Sequence, residues 1–129
     1  MYITSIGTDD FFNPLNLLWG VLFWKKRAEE ELQRSGLKYT IVRPGGLRDK
    51  PKEDGKVGGK VGGNIVMKGP NSYGLPPKDP PGSILREQVA DVCVNSLIES
   101  EADNKIVEIV AEEKASELTF SQLFASLEG

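Results

Sequence analysis

Apolar positions alternate between short β-branched runs and longer helical stripes. Residues 1–6 (MYITSI) are β-branched and aromatic and predict a strand, followed by a loop over 7–12. Asn13-Pro14 then opens a helix predicted over 14–34, with Asn as the cap and Pro in the first turn. The first half of that helix is apolar nearly all round (Leu15, Leu17, Leu18, Trp19, Val21, Leu22, Phe23, Trp24). Such a helix is buried on more than one side. Its second half is charged and water-facing apart from Ala28 and Leu32, and Ser35-Gly36 ends it with glycine in the left-handed capping position.

Residues 39–43 (YTIVR) predict a second strand, broken by Pro44-Gly45-Gly46. Strand, long helix and strand joined by short connections make a βαβ crossover, which demands parallel pairing. Residues 49–63 are polar and rich in Gly and Lys, with a small tandem repeat (GKVGG, KVGG), and read as a loop or ribbon. A short strand is predicted over 64–68 (NIVMK) and a proline-rich loop over 69–82. The next helix is predicted over 84–100, with Val89, Val92, Cys93, Ser96 and Leu97 on one face. A strand follows over 105–110 (KIVEIV). Thr119, with Gln122 three residues on, caps a last helix whose apolar stripe is Phe120, Leu123, Phe124 and Leu127. Three or four strands interleaved with three helices make an α/β fold with a parallel sheet. The sheet is half the size of a doubly wound one, which uses about six strands. A parallel strand at residues 1–6 also needs a neighbour on each side, so further sheet is expected outside this sequence.

Composition narrows the chemistry. The 129 residues are 39% hydrophobic and 27% charged, which is globular composition sufficient for one domain. Net charge is −3 and uneven: residues 1–63 hold eleven basic and eight acidic side chains, residues 64–129 five and eleven. That balance gives the whole molecule no bias toward nucleic acid. The single cysteine, Cys93, permits no internal disulfide, fits a reducing compartment and reads as an inert core residue. There is no histidine, so the commonest general base and metal ligand are both lacking. The most apolar run, residues 15–24, is too short for a transmembrane segment, which needs about 20 residues.

Four features are candidates for function. The glycine-rich run GKVGGKVGG fits neither G-x-G-x-x-G nor P-loop spacing and reads as a surface loop. Lys25-Lys26-Arg27 faces Glu29-Glu30-Glu31 at i+4, the pattern of a solvated helix face. Arg86, just inside its helix, is expected to pair with a carboxylate. Ser5 and the Pro44-Gly45-Gly46 turn lie at the carboxyl ends of neighbouring strands, where open α/β sheets bind ligands, and a turn without Cβ atoms admits a ligand to the backbone.

The run W-K-x-x-A-E-x-x-L…S-G-L-x-Y-T-I-V-R-P-G-G-L within residues 3–47 resembles the segment that follows the fifth strand in atypical short-chain dehydrogenases/reductases. It is especially similar to the plant and cyanobacterial NAD(P)-binding group that includes plastid translocon-associated proteins. The resemblance implies the C-terminal half of a Rossmann-like doubly wound parallel sheet with three α/β/α layers. Residues 1–129 would then be a partial domain whose N-terminal nucleotide-binding βαβ unit lies outside this sequence. It implies NAD(P) as the cofactor, NADP by preference, and a site at Ser5, Lys25, Pro44, Gly45 and Gly46. Lys25 matches the family lysine on the nicotinamide ribose, and the turn matches the backbone beside the nicotinamide.

The family's catalytic tyrosine stands four residues before that lysine, where this chain has Val21. Valine neither donates nor accepts a proton, so no catalytic residue is assigned and standard hydride-transfer catalysis is expected to be weakened or absent. The resemblance thus implies an oxidoreductase-like protein that binds dinucleotide in its full-length form. The alternative it implies is a non-enzymatic, redox-responsive docking protein with protein partners, meeting them through residues 49–82 and the helix around Trp19 and Trp24. The expected location is intracellular: the plastid in a photosynthetic eukaryote, the cytoplasm otherwise.

Overall fold

The computed structural model describes residues 1–6, 21–49, 56–57, 60–61, 63–74, 78 and 82–127. The predicted helix start at Asn13-Pro14 and the apolar run through Trp19 lie outside the described residues. The strands are β1 (Tyr2–Ile3), β2 (Thr40–Pro44), β3 (Gly46–Arg48), β4 (Lys56–Val57), β5 (Lys60–Val61), β6 (Asn64–Lys68), β7 (Ser83–Leu85) and β8 (Lys105–Glu112). Among the described residues the helices are α1 (Val21–Arg34), α2 (Arg86–Ile98) and α3 (Phe120–Ala125), with a 3-10 turn at Ser100–Ala102. None of the described helices is long and apolar enough to cross a membrane.

The main sheet has the order β1-β2-β8-β6. β2 is its spine: Thr40, Ile41 and Val42 are β-branched, and every residue of the strand is buried. β1, β2 and β8 run parallel, as the βαβ reading requires. The fully parallel expectation fails at β6, which runs antiparallel to β8, with Asn64 opposite Glu112 and Lys68 opposite Glu108. The reason is the route. β3 leaves the carboxyl end of β2, and among the described residues between β3 and β6 no helix returns the chain to the other end. β6 therefore starts beside the end of β8 and runs back down.

The sequence pattern also passes over two three-residue strands. β3 and β7 pair in parallel, Gly46 with Ser83 and Arg48 with Leu85, so the chain stays extended beyond the Pro44-Gly45-Gly46 break and α2 begins at Arg86 instead of residue 84. The 49–63 ribbon is borne out where it is described: β4 and β5 pair antiparallel.

The layers follow from strand alternation. Val42, Val107, Ile109 and Met67 face one side, where Val89, Val92 and Cys93 of α2 and Leu123 and Phe124 of α3 cover them. Each such side chain taken from water contributes about 1.5–3 kcal/mol. The predicted cap on α3 forms, with Gln122 N–H donating to Thr119 Oγ1 and Thr119 N–H donating to Gln122 Oε1. Leu97 departs from its predicted inward face and is 71% exposed, because the buried stripe of α2 is Val89, Val92, Cys93 and Ser96. The opposite sheet face carries Arg43 and Glu108, met there by Glu29 of α1.

Candidate functional site

α1 sets the geometry of the site. Lys25 and Glu29 are one helical turn apart and project from the same face. Glu29 is fully buried, although Glu30 and Glu31 follow it in sequence. Its carboxylate accepts a bidentate pair from Arg43, Nε to Oε2 at 3.0 Å and Nη2 to Oε1 at 2.8 Å, and a hydrogen bond from the Thr4 hydroxyl. Arg43 Nη1 also donates to Glu108 Oε2 at 3.2 Å. Glu108 closes the chain by accepting the backbone N–H groups of Asn71, Ser72 and Tyr73, each at 3.0 Å. Asn71 has φ 63°, so these successive N–H groups form a small anion nest, and the carboxylate fills it.

Two buried carboxylates share one guanidinium, with the Lys26 ammonium 4.0 Å from Glu29 Oε1, so several charges sit out of water together. Desolvation on that scale is offset only where every lone pair and proton finds a partner. The fork geometry and the nest supply those partners. The network ties β1, α1, β2, β8 and the 69–74 loop together and fixes the rotation of α1, and with it the direction of Lys25.

Beside this network lies a cleft of 570 Å³ that Thr4, Lys25 and Pro44 help to line. Its remaining walls are mainly apolar, from Ile3 of β1, Leu47 of β3 and the Val89–Val94 stretch of α2, with Arg86 at its margin. Such a volume and lining are typical of small-molecule sites. Arg86 Nη1 donates to Asp49 Oδ1 at 2.7 Å, the carboxylate pairing expected of it. Among the described residues no group of three or more Cys, Asp or Glu side chains is placed to hold a metal ion.

The five residues singled out in the sequence are divided by the structure. Lys25 and Pro44 line the cleft together. Ser5 does not line it, and its hydroxyl donates to the Ile6 carbonyl at 3.1 Å, the local backbone cap that a strand-end serine can also make. Gly45 and Gly46 serve the fold directly. Gly45 N–H donates to the Ile109 carbonyl and Gly46 N–H to the Gly82 carbonyl, both at 3.0 Å. A Cβ on Gly45 would collide with the Gly82 carbonyl oxygen. The glycine at 45 is thus required by the chain crossing at Gly82. Val21 stands one turn before Lys25 in α1.

Sequence reasoning missed Thr4, Glu29, Arg43 and Glu108. A signal was present: Arg43 and Glu108 are opposite charges inside two apolar strand runs, and the two strands pair them as register partners.

Cys93 borders the cleft yet is 6% exposed. Burial pushes its thiol pKa above the ordinary value, opposed by the Met1 ammonium. Thiolate, the reactive form, is therefore scarcer than at an exposed cysteine. Iodoacetamide at pH 8 is expected to label the native chain at least tenfold more slowly than the urea-unfolded chain. Equal rates would contradict the burial of Cys93.

Comparison with known proteins places this geometry in context. The family profile described as NAD(P)H-binding matches residues 1–100. An uncharacterised chloroplastic protein of Arabidopsis thaliana is 40% identical over 98% of this chain, and the chloroplastic protein TIC 62 of Pisum sativum is 38% identical over 88% of it. Sanguinarine reductase of Eschscholzia californica is 38% identical over 78% of the chain. The match spans only 41%, 20% and 33% of those three relatives. Among solved structures, a putative NAD-dependent epimerase/dehydratase from Bacillus halodurans superposes with a TM-score of 0.68 at 26% identity, covering 97% of this chain and 50% of its own.

Proposed function

The chain belongs to the NAD(P)H-binding family with a Rossmann-like fold, and from that premise we propose that its 570 Å³ cleft holds the nicotinamide–ribose end of the dinucleotide. The observation that carries this reading is Lys25. Lys25 borders the cleft together with Pro44, at the carboxyl end of β2, while Glu29 anchors the next turn of the same helix. The apolar walls suit a flat ring, and the half-buried Lys25 suits ribose hydroxyls. Bound there, the dinucleotide would supply hydride chemistry. The chain's own part is to seat the ring against the apolar walls and to orient the ribose through Lys25. Ser5, Gly45 and Gly46 do not line the cleft, so their part in this proposal is to shape the strand ends behind it, and NADP is favoured over NAD.

Affinity for the pyrophosphate and adenosine end is assigned to a preceding half of the fold that is outside this sequence. NADPH titrated into this chain is expected to bind weakly, and into a form extended by that half with micromolar affinity. Lys25→Met in the extended form should weaken binding about tenfold, the scale of one charge-assisted hydrogen bond. Absence of binding by the extended form at micromolar NADPH sinks the reading.

Val21, one turn before Lys25, offers no proton to a carbonyl substrate, which favours a reductase-like domain with little or no standard turnover. Similarity to the chloroplastic protein TIC 62 supports a second reading: a plastid, redox-responsive docking protein that binds dinucleotide and protein partners. Its signature would be partners lost from a pull-down when residues 49–63 are deleted. Measured reduction of a carbonyl substrate would count against it.

A further inference from the structure

The charge of the cleft is one-sided. Among the described residues that line it, the charged side chains are Lys25 and Arg86, and both are cations. The acidic residues nearby in sequence are engaged or turned elsewhere. Glu29, one turn from Lys25, is fully buried, and its two oxygens take Arg43 and the Thr4 hydroxyl. Glu30 and Glu31 pair with Arg34. Glu87, next to Arg86, does not line the cleft. Two cations between apolar walls, with no carboxylate among the described lining residues, make a pocket that favours a negatively charged ligand.

Arg86 is the first residue of α2. Its one printed partner, Asp49, accepts from Nη1 across a pair whose side chains are 55% and 78% exposed. Ion pairs that open to water are weak, and Asp49 itself does not line the cleft. A guanidinium has five N–H donors in a planar fork, of which Asp49 takes one. An edge of the fork is left for a second carboxylate. A phosphate group is a poorer match. It calls for several converging donors or a backbone nest, and the nest at 71–73 is already filled by Glu108. Beside Arg86 the lining turns apolar. Val89 and Cys93, three and seven residues on, share its helix face. Leu47 of β3 completes that end of the cleft and is 47% exposed, so an apolar body placed there would take it out of water.

We propose that the Arg86 end of the cleft is a carboxylate subsite, and that the cleft takes a small apolar monocarboxylate as its ligand. The acid group lies on the Arg86 fork and the apolar body against Val89 and Leu47. The proposal rests on the cofactor reading for the other end of the cleft, where Lys25 and Pro44 meet the nicotinamide ribose. A volume of 570 Å³ falls within the range of about 300–1,000 Å³ that holds a drug-sized ligand, so a flat ring and a small acid share it side by side. Arg86 acts here as a specificity residue: it selects an acid over the uncharged analogue of the same shape.

The test titrates 4-phenylbutyrate, its neutral amide and inorganic phosphate into this chain at low salt, following the methyl signals of leucine and valine. The acid is expected to bind about tenfold more tightly than the amide, the factor of one charge-assisted hydrogen bond. Arg86→Leu should bring the acid down to the affinity of the amide. The exposed pair it removes carries little stability, so the melting temperature should stay that of the parent. Leu47→Ser should weaken acid and amide alike, because both bring the same body. Equal binding of acid and amide by the parent overturns the proposal, as does an acid preference that survives Arg86→Leu. Displacement of the acid by phosphate at equal concentration also overturns it, since the site would then hold any anion. NADPH is titrated separately into the extended form. Arg86→Leu should leave that affinity unchanged, and a matching tenfold loss would assign the guanidinium to the phosphates of the dinucleotide instead of a carboxylate. An acid that binds as expected while NADPH does not bind sinks the cofactor reading alone.

Discussion

Arg43→Met is expected to remove about 3–5 kcal/mol of folding stability, the cost of taking one partner from a buried ion pair. It would be read as a lower urea midpoint with an unchanged slope. The size follows from what remains. Glu29 and Glu108 are both fully buried, and the guanidinium is the charge between them. Methionine fills much of the volume and supplies no donor, so two carboxylates stay out of water without their shared cation. Arg43→Lys should recover little, because an ammonium cannot make the fork to both oxygens of Glu29. The comparison that isolates burial is Arg34→Met. Arg34 pairs with Glu30 and Glu31 on the exposed part of the same helix. Surface pairs of that kind contribute about 0–1 kcal/mol. If Arg43→Met proves as mild as Arg34→Met, the network is not what holds α1 to the sheet, and the directed placement of Lys25 loses its physical basis.

The contrast between Arg34 and Arg43 also shows how much the sequence reveals. Local chemistry was legible. Apolar alternation located β2, β6 and β8, and Thr119 with Gln122 located the cap of α3. The βαβ spacing required parallel pairing of β1 with β2, which the sheet has. Long-range chemistry was not. The i+4 rule treats Glu29, Glu30 and Glu31 alike, since each has a basic partner one turn earlier. What separates Glu29 is that the sheet surface facing it carries Arg43, fourteen residues away, and that Thr4 lies alongside, and no window of helical length contains both. The direction of β6 was hidden for a similar reason: it depends on whether the chain returns across the sheet before pairing.

Within the site, residue type was a better guide than residue role. Lys25 and Pro44 both line the cleft, and Ser5 does not. The double glycine carries a different message. A missing Cβ signals close approach without saying by what, and at Gly45 the approaching atom is the Gly82 carbonyl oxygen. The α2 stripe was misread at Leu97 because one helix has two apolar faces and periodicity alone cannot say which one this sequence covers. That ambiguity is itself informative: the face left open lies alongside the edge strand.

Gly63→Ala is the second large effect, about 2–5 kcal/mol, and glycines elsewhere in the chain let its causes be separated. Gly63 has φ +86°, where an L side chain costs about 1–2 kcal/mol. Its Cβ would lie 2.5 Å from both the carbonyl carbon and oxygen of Glu112 and 2.8 Å from the Glu113 nitrogen, all backbone atoms at the end of β8. Backbone cannot rotate aside as a side chain can, so the junction must shift, at about 1–3 kcal/mol more. The shift would spread, because the Gly63 carbonyl accepts Gln88 Nε2 at 3.1 Å and Gln88 Oε1 accepts the Leu85 N–H that opens α2. Gly36 has φ +81° and no atom within 4 Å of an added Cβ, so Gly36→Ala isolates the backbone term. Gly69 has neither an unusual φ nor a neighbour within 4 Å, and Gly69→Ala should stay within about 0.5 kcal/mol of the parent. The expected order of urea midpoints is therefore Gly69→Ala highest, Gly36→Ala intermediate and Gly63→Ala lowest. Were Gly63→Ala to match Gly36→Ala, the contact with Glu112 would carry no energy, and the turn that delivers the chain to β6 would be freer than its geometry states.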